Sequence, residues 1–185
     1  MLKRQSKSEP KWTDVKAKLA TFDRNGLLSL LQDLYAAHPD NQTFLHNRFG
    51  LVEDVLGVYK ETITRWLYPD IFRRQDTTSV AKAKQAIADY KKAVGDPAGV
   101  AELMVYFCEQ GAGFCNDTGN DEHVYLNALV RMFGQALNFA KTLPDGIQAG
   151  LIARLDRVRG ISHNFGYGVG EEMDLVFAKY TEGEE

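Results

Sequence analysis

Val94-Gly95-Asp96-Pro97 reads as the seam between two helices. Gly takes the left-handed position that closes a helix, Asp caps the next one, and Pro suits its first turn. Upstream of the seam, Val80, Ala83, Ile87, Tyr90 and Val94 recur at helical spacing behind Thr78 or Ser79, with Lys82, Lys84, Lys91 and Lys92 on the wet side. Downstream, Val100 to Cys108 has Glu102 as its one charged side chain. A helix apolar nearly all round belongs at the centre of a fold.

The same grammar extends outward. Thr13 can cap a short helix with Val15, Leu19 and Phe22, and Asp23 a second with Leu27, Leu30, Leu31, Leu34 and Tyr35 on one stripe. Asp40 opens a third through Phe44, Leu45 and Phe49, closed by Gly50. The fourth carries Val52, Val55, Leu56, Tyr59, Ile63, Trp66 and Leu67 and stops at Pro69. After the polar turn Asn116 to Asp121, a helix from Glu122 to Lys141 has two apolar stripes, which makes it the antiparallel partner of the central helix. Pro144-Asp145-Gly146 begins the next, a glycine-rich connection from Gly160 to Gly170 follows, and Met173, Val176, Phe177 and Tyr180 mark the last. The expectation is an all-α, irregular antiparallel helix array of eight or nine helices, between a bundle and an α-α superhelix. Residues 1–11 read as a flexible basic arm, 12–180 as a single helical domain and 181–185 as a frayed tail.

Composition narrows the class. At 185 residues with 44% hydrophobic content, the chain can bury one core, and mixed charge with five prolines argues against global disorder. No apolar run is long enough to cross a bilayer, and the charged start Met1-Leu2-Lys3-Arg4 has no apolar stretch behind it, so a cytoplasmic protein without a membrane partner is expected. Cys108 and Cys115 lie two helical turns apart, roughly 10 Å between Cα atoms, which makes them free thiols. Residues 1–92 hold 16 Lys and Arg against 11 Asp and Glu, a balance of +5, whereas 93–185 hold 6 against 14, a balance of −8. Unlike surfaces of this kind let two copies meet, so a monomer or a weak, salt-sensitive dimer is expected; Trp12, Phe72 or Tyr167 would have to supply an apolar centre for a tighter one.

The stretch from Ala83 to Asp96, with Glu102-Leu103-Met104-Val105-Tyr106 and Glu109-Gln110-Gly111, resembles a family of small all-helical bacterial proteins known only as a domain of unknown function. The resemblance covers about the middle third of the chain. It implies an all-α cytoplasmic bacterial protein and brings no catalytic residues with it.

Chemistry-bearing residues are few. None of His38, His46, His123 and His163 has Glu three residues before it, so the di-iron helix signature is absent, as is a zinc spacing, and neither metal nor cofactor is expected. Glu109, Asp117, Asp121, Glu122 and His123 flank one turn, which His163 could reach in space. Glu102 and Glu109, seven apart, are either an acid-base pair with raised pKa values or a polar seam paired to Arg131 or Arg154; the seam is the more economical reading. The Gly160–Gly170 segment has the loop character of a binding site and holds His163 and Asn164, but Glu171, Glu172 and Asp174 behind it would repel a phosphate. Cys108 sits in an apolar helix, the reverse of an activated nucleophile, while Cys115 at the helix end is expected to be more accessible. The best basic patch, within residues 73–92, supports weak phosphate contact at most. The leading expectation is a non-enzymatic interaction module acting on a protein or on itself. The alternatives are a metal- or carboxylate-dependent enzyme using Glu109, His123, His163 or Asn164, and a weak nucleic-acid binder through 73–92.

Overall fold

The computed structural model describes residues 9–51, 53–70 and 77–182, and among them are nine helices and no strand. The arm over 1–8, Val52, Phe72, the Arg73-Arg74 pair and residues 183–185 of the tail lie outside the described residues. The chain divides into two compact units between His46 and Asn47, where periodicity alone suggested one domain over 12–180.

Helix α1 spans Trp12–Leu19, α2 Arg24–Ala37 and α3 Pro39–Arg48, the last crossing the division. The carboxylate of Asp14, not the Thr13 hydroxyl, organises the start of α1 by accepting a hydrogen bond from the Lys11 amide at 2.8 Å. An anionic acceptor in the first turn also complements the helix dipole, which a hydroxyl does not. Asp23 caps α2 as its position suggests, accepting from the Gly26 amide at 2.7 Å, and Tyr35 on α2 meets His46 on α3 at 2.8 Å. The apolar stripe of α2 nevertheless packs against little. Neither α1 nor α2 contains a buried residue, with Trp12 68% and Leu28 54% exposed.

The second unit contains α4 (Val55–Leu67), α5 (Val80–Ala93), α6 (Pro97–Thr118), α7 (His123–Ala140), α8 (Asp145–Ser162) and α9 (Val169–Glu182). Asp54, Ser79 and Asp96 cap α4, α5 and α6 through their side chains. Helix α6, at 22 residues about 33 Å long, is the axle: α4, α5, α7 and α8 all pack on it, and α9 lies on α7 and α8. Val100, Leu103, Val105, Phe107 and Cys108 are buried over more than half of its circumference, and both stripes of α7 are buried except for the half-exposed Phe139.

At the seam, Gly95 has φ +73°, and Asp96 accepts from the Gly99 amide at 2.8 Å. A side chain at residue 95 would meet the Lys91 carbonyl at 3.3 Å in a backbone conformation that L residues rarely adopt. Gly95→Ala is therefore expected to lower stability by about 1 kcal/mol in urea unfolding. A gain would place Gly95 inside a helix.

Two expectations need correction. The glycine-rich connection begins after Gly160, because α8 continues to Ser162, with Leu155, Val158 and Ser162 buried and the Ser162 hydroxyl bonded to the Val158 carbonyl at 2.8 Å. Packing of that face outweighs the cost of one helical glycine, about 1 kcal/mol. Cys115 is not the accessible thiol: like Cys108 it is free and buried, since α6 runs on to Thr118 and carries it beneath the fold.

Candidate functional site

Positions 102, 106, 109 and 110 share one side of α6, and there the polar side chains of three helices meet. Arg154 of α8 lies across both glutamates. Its Nε and Nη2 donate to Glu109 at 2.8 and 2.6 Å, and its Nη1 donates to Glu102. Lys60 of α4 holds the other Glu102 oxygen at 2.6 Å and passes its ammonium over the Tyr106 ring at 5.2 Å. Thr64, one turn further along α4, bonds to the Tyr106 hydroxyl at 2.8 Å and to Gln110 at 3.2 Å. The seam reading thus holds, with Arg154 as the partner; Arg131 lies exposed on α7.

The electrostatics follow from that geometry. Burial pushes the Glu102 carboxyl upward, but hydrogen bonds and charge from Arg154 and Lys60 outweigh it and leave its pKa below the usual glutamate value. Glu109 and then Glu102 hold the Arg154 guanidinium more firmly protonated than usual, against the opposing pull of burial. The charged side chains are 21–31% exposed. Every oxygen of the two glutamates is occupied by a cation, so the arrangement ties α4 and α8 to α6.

His123, His163 and Asn164 go separate ways. His163 places Nε2 3.2 Å from Asp174 on α9, whose other oxygen is taken by Arg159. Asn164 reaches back to Asn116 at 3.5 Å, and the His123 ring rests on Tyr167 with 4.0 Å between centroids. The connection between α8 and α9 therefore does lie along the α6–α7 turn, through Asn164 and Tyr167 and not through His163. Asp117, on the same turn, accepts from the Tyr68 hydroxyl, which holds its carboxyl below the usual range. Glu109 is on Arg154. Among the described residues no three His, Cys, Asp or Glu side chains stand close enough to hold a metal ion.

Several smaller features settle the remaining candidates. Gly170 serves close packing: a Cβ there would fall 2.5 Å from Nδ1 of His163. Phe165 packs toward the core, whereas Tyr167 stays exposed at φ +62°, leaning on His123. Burial raises the Cys108 thiol far above its ordinary value and pushes Cys115 up to about 11 against the weak 3.9 Å contact from Asn120. At 100° per residue Lys82 lies half a turn round α5 from Lys84 and Lys91, so these lysines form no single basic face. Lys82 instead caps the Trp66 ring at 3.7 Å.

One concavity was not legible in the sequence. A groove of about 530 Å³ runs between α8 and α9, with Ile152 and Phe177 in its floor, Gln148 and Tyr180 joined across it at 2.8 Å, and Asp145 and Asp156 toward its ends. Ala149 and Ala153, one turn apart, keep the α8 side low. That small-residue pair was the available signal. No protein family, curated protein or solved structure matches the chain. The reading of function therefore rests on the molecule itself, in which no described helix is long and apolar enough to cross a membrane.

Proposed function

We propose that the protein is a non-enzymatic helical interaction module that presents α1 and α2 to a protein partner. The observation that carries this reading is the unburied apolar surface of those helices: Trp12, Val15, Leu27, Leu28, Leu31 and Leu34 are all exposed. Helices of 8 and 14 residues are marginal in water without a packed face, so such a surface gains from a partner. The occupied glutamates, the scattered histidines and the deeply buried thiols support the same reading, since each lacks the free, poised group that acid-base or nucleophilic chemistry uses.

The test is the pair Leu28→Ser and Leu31→Ser in one chain. Both positions are exposed, so thermal unfolding should shift by no more than about 0.5 kcal/mol per site. Tagged wild-type protein is expected to migrate above its monomer mass in cell extract by light scattering, and the double variant at the monomer mass. Identical migration of the two, or a loss of several kcal/mol in the variant, would contradict the proposal.

A further inference from the structure

We infer that one partner is a second copy of this chain, and that α1 of one copy lies in the α8–α9 groove of the other, reciprocally. The inference rests on the interaction-module reading and names its partner.

Helix α1 has the anatomy of a groove ligand. Trp12, Val15 and Leu19 fall at positions i, i+3 and i+7 and share one side, which Lys16 and Lys18 flank to left and right. Trp12 and Val15 are exposed, and Lys11 stands at the helix start. An exposed tryptophan flanked by lysines is the anchor that helix-in-groove recognition uses. The groove offers the complement: an apolar floor at Ile152 and Phe177, with a carboxylate toward each end. Asp145 and Asp156 are eleven residues apart on α8, about 16 Å at 1.5 Å per residue, and the eight residues of α1 span about 12 Å. A lysine at either end of α1 can therefore approach a carboxylate while Trp12 enters between them.

Two cations border the groove, Arg159 over the Phe177 ring and Lys141 over the Tyr180 ring, and each is already engaged. Arg159 is shared between Asp156 and Asp174 and lies over the Phe177 ring at 5.1 Å, and Lys141 is bound to the Tyr180 carbonyl at 2.7 Å. The arrangement agrees in sign with the balances of +5 and −8 in the two halves of the chain. Reciprocal exchange closes under twofold symmetry, so it gives a dimer and not a filament. Its short, charge-assisted contacts make it weak and salt-sensitive.

Sedimentation of the purified full chain tests this. At 0.05 M salt the weight-average mass should rise from monomer toward dimer with concentration, and at 0.5 M salt association should fall at least tenfold. Trp12→Ala, the pair Lys16→Glu with Lys18→Glu, and Asp145→Lys should each weaken the dimer tenfold or more. The lysine pair combined with Asp145→Lys in one chain should recover part of it. These positions are exposed, and unchanged circular dichroism would verify folding. A chain that stays monomeric at every concentration would overturn the inference, as would a dimer indifferent to these substitutions. Concentration-independent shielding of Trp12 fluorescence would also overturn it, by showing α1 docked within one chain. If wild type is monomeric when pure yet large in extract, the second-copy assignment falls and the interaction module stands.

Discussion

Replacing Phe133 with Ala is expected to cost about 3–5 kcal/mol of folding stability, and Phe107→Ala a similar amount. Both rings are inaccessible to solvent, one on α7 and the other on α6, in the hub that every other helix of the second unit adjoins directly or through α7 and α8. The truncation removes a whole ring and leaves a cavity that the surrounding helices can only partly close. For a chain of this size about 3 kcal/mol lowers Tm by roughly 6–12 °C. Lys92→Ala, on an exposed side of α5, should fall within about 0.5 kcal/mol. Calorimetry of the three variants checks this, and equal small effects would show that the buried faces of α6 and α7 are misassigned.

Arg154→Met should be the next most damaging change, at about 2 kcal/mol near neutral pH. The substitution keeps the length of the side chain but strands Glu109 without its cation and leaves Glu102 with Lys60 alone. Partial exposure of the glutamates keeps the loss below that of a fully buried pair. The acid limb carries the sign of the effect. The Glu102 pKa is depressed in the folded protein, so its contribution is complete above the ordinary glutamate range and is lost as pH falls through the lower, folded value. Wild type should therefore lose more stability than Arg154→Met on acidification, and the two unfolding curves should converge at low pH. A constant gap down to pH 2 would mean that the contribution of Arg154 comes from packing and not from charge.

The body of the fold was legible because it obeys local rules throughout. Gly95-Asp96-Pro97 breaks the chain where its chemistry says, Asp23 and Ser79 cap the helices they precede, and the all-round apolar character of 100–108 places α6 at the axis. Legibility failed where tertiary contact or its absence overrides the local signal. Gly160 stays helical because Leu155, Val158 and Ser162 are buried on the same face, and α2 leaves exposed the stripe that amphipathicity would bury. The same holds for the candidate site. An Arg partner for Glu109 could be expected because Arg reaches far and forks, but the choice of Arg154 over Arg131 came from the docking of α8. The direction of His163, the perch of Tyr167 on His123 and the α8–α9 groove depend on how α8 and α9, which begin 48 and 72 residues after Pro97, dock, and spacing does not encode that.

Hydrogen exchange on the dilute, purified chain tests most directly the claim that the apolar faces of α1 and α2 are exposed while α6 and α7 are buried. Amides of Val100–Cys115 and Leu126–Leu137 should exchange only through global unfolding, and those of Val15–Leu19 and Leu28–Ala37 at least a hundredfold faster. Protection of α1 and α2 equal to that of α6 at the lowest concentration would show that their apolar faces are already packed within a single chain, and would contradict the account.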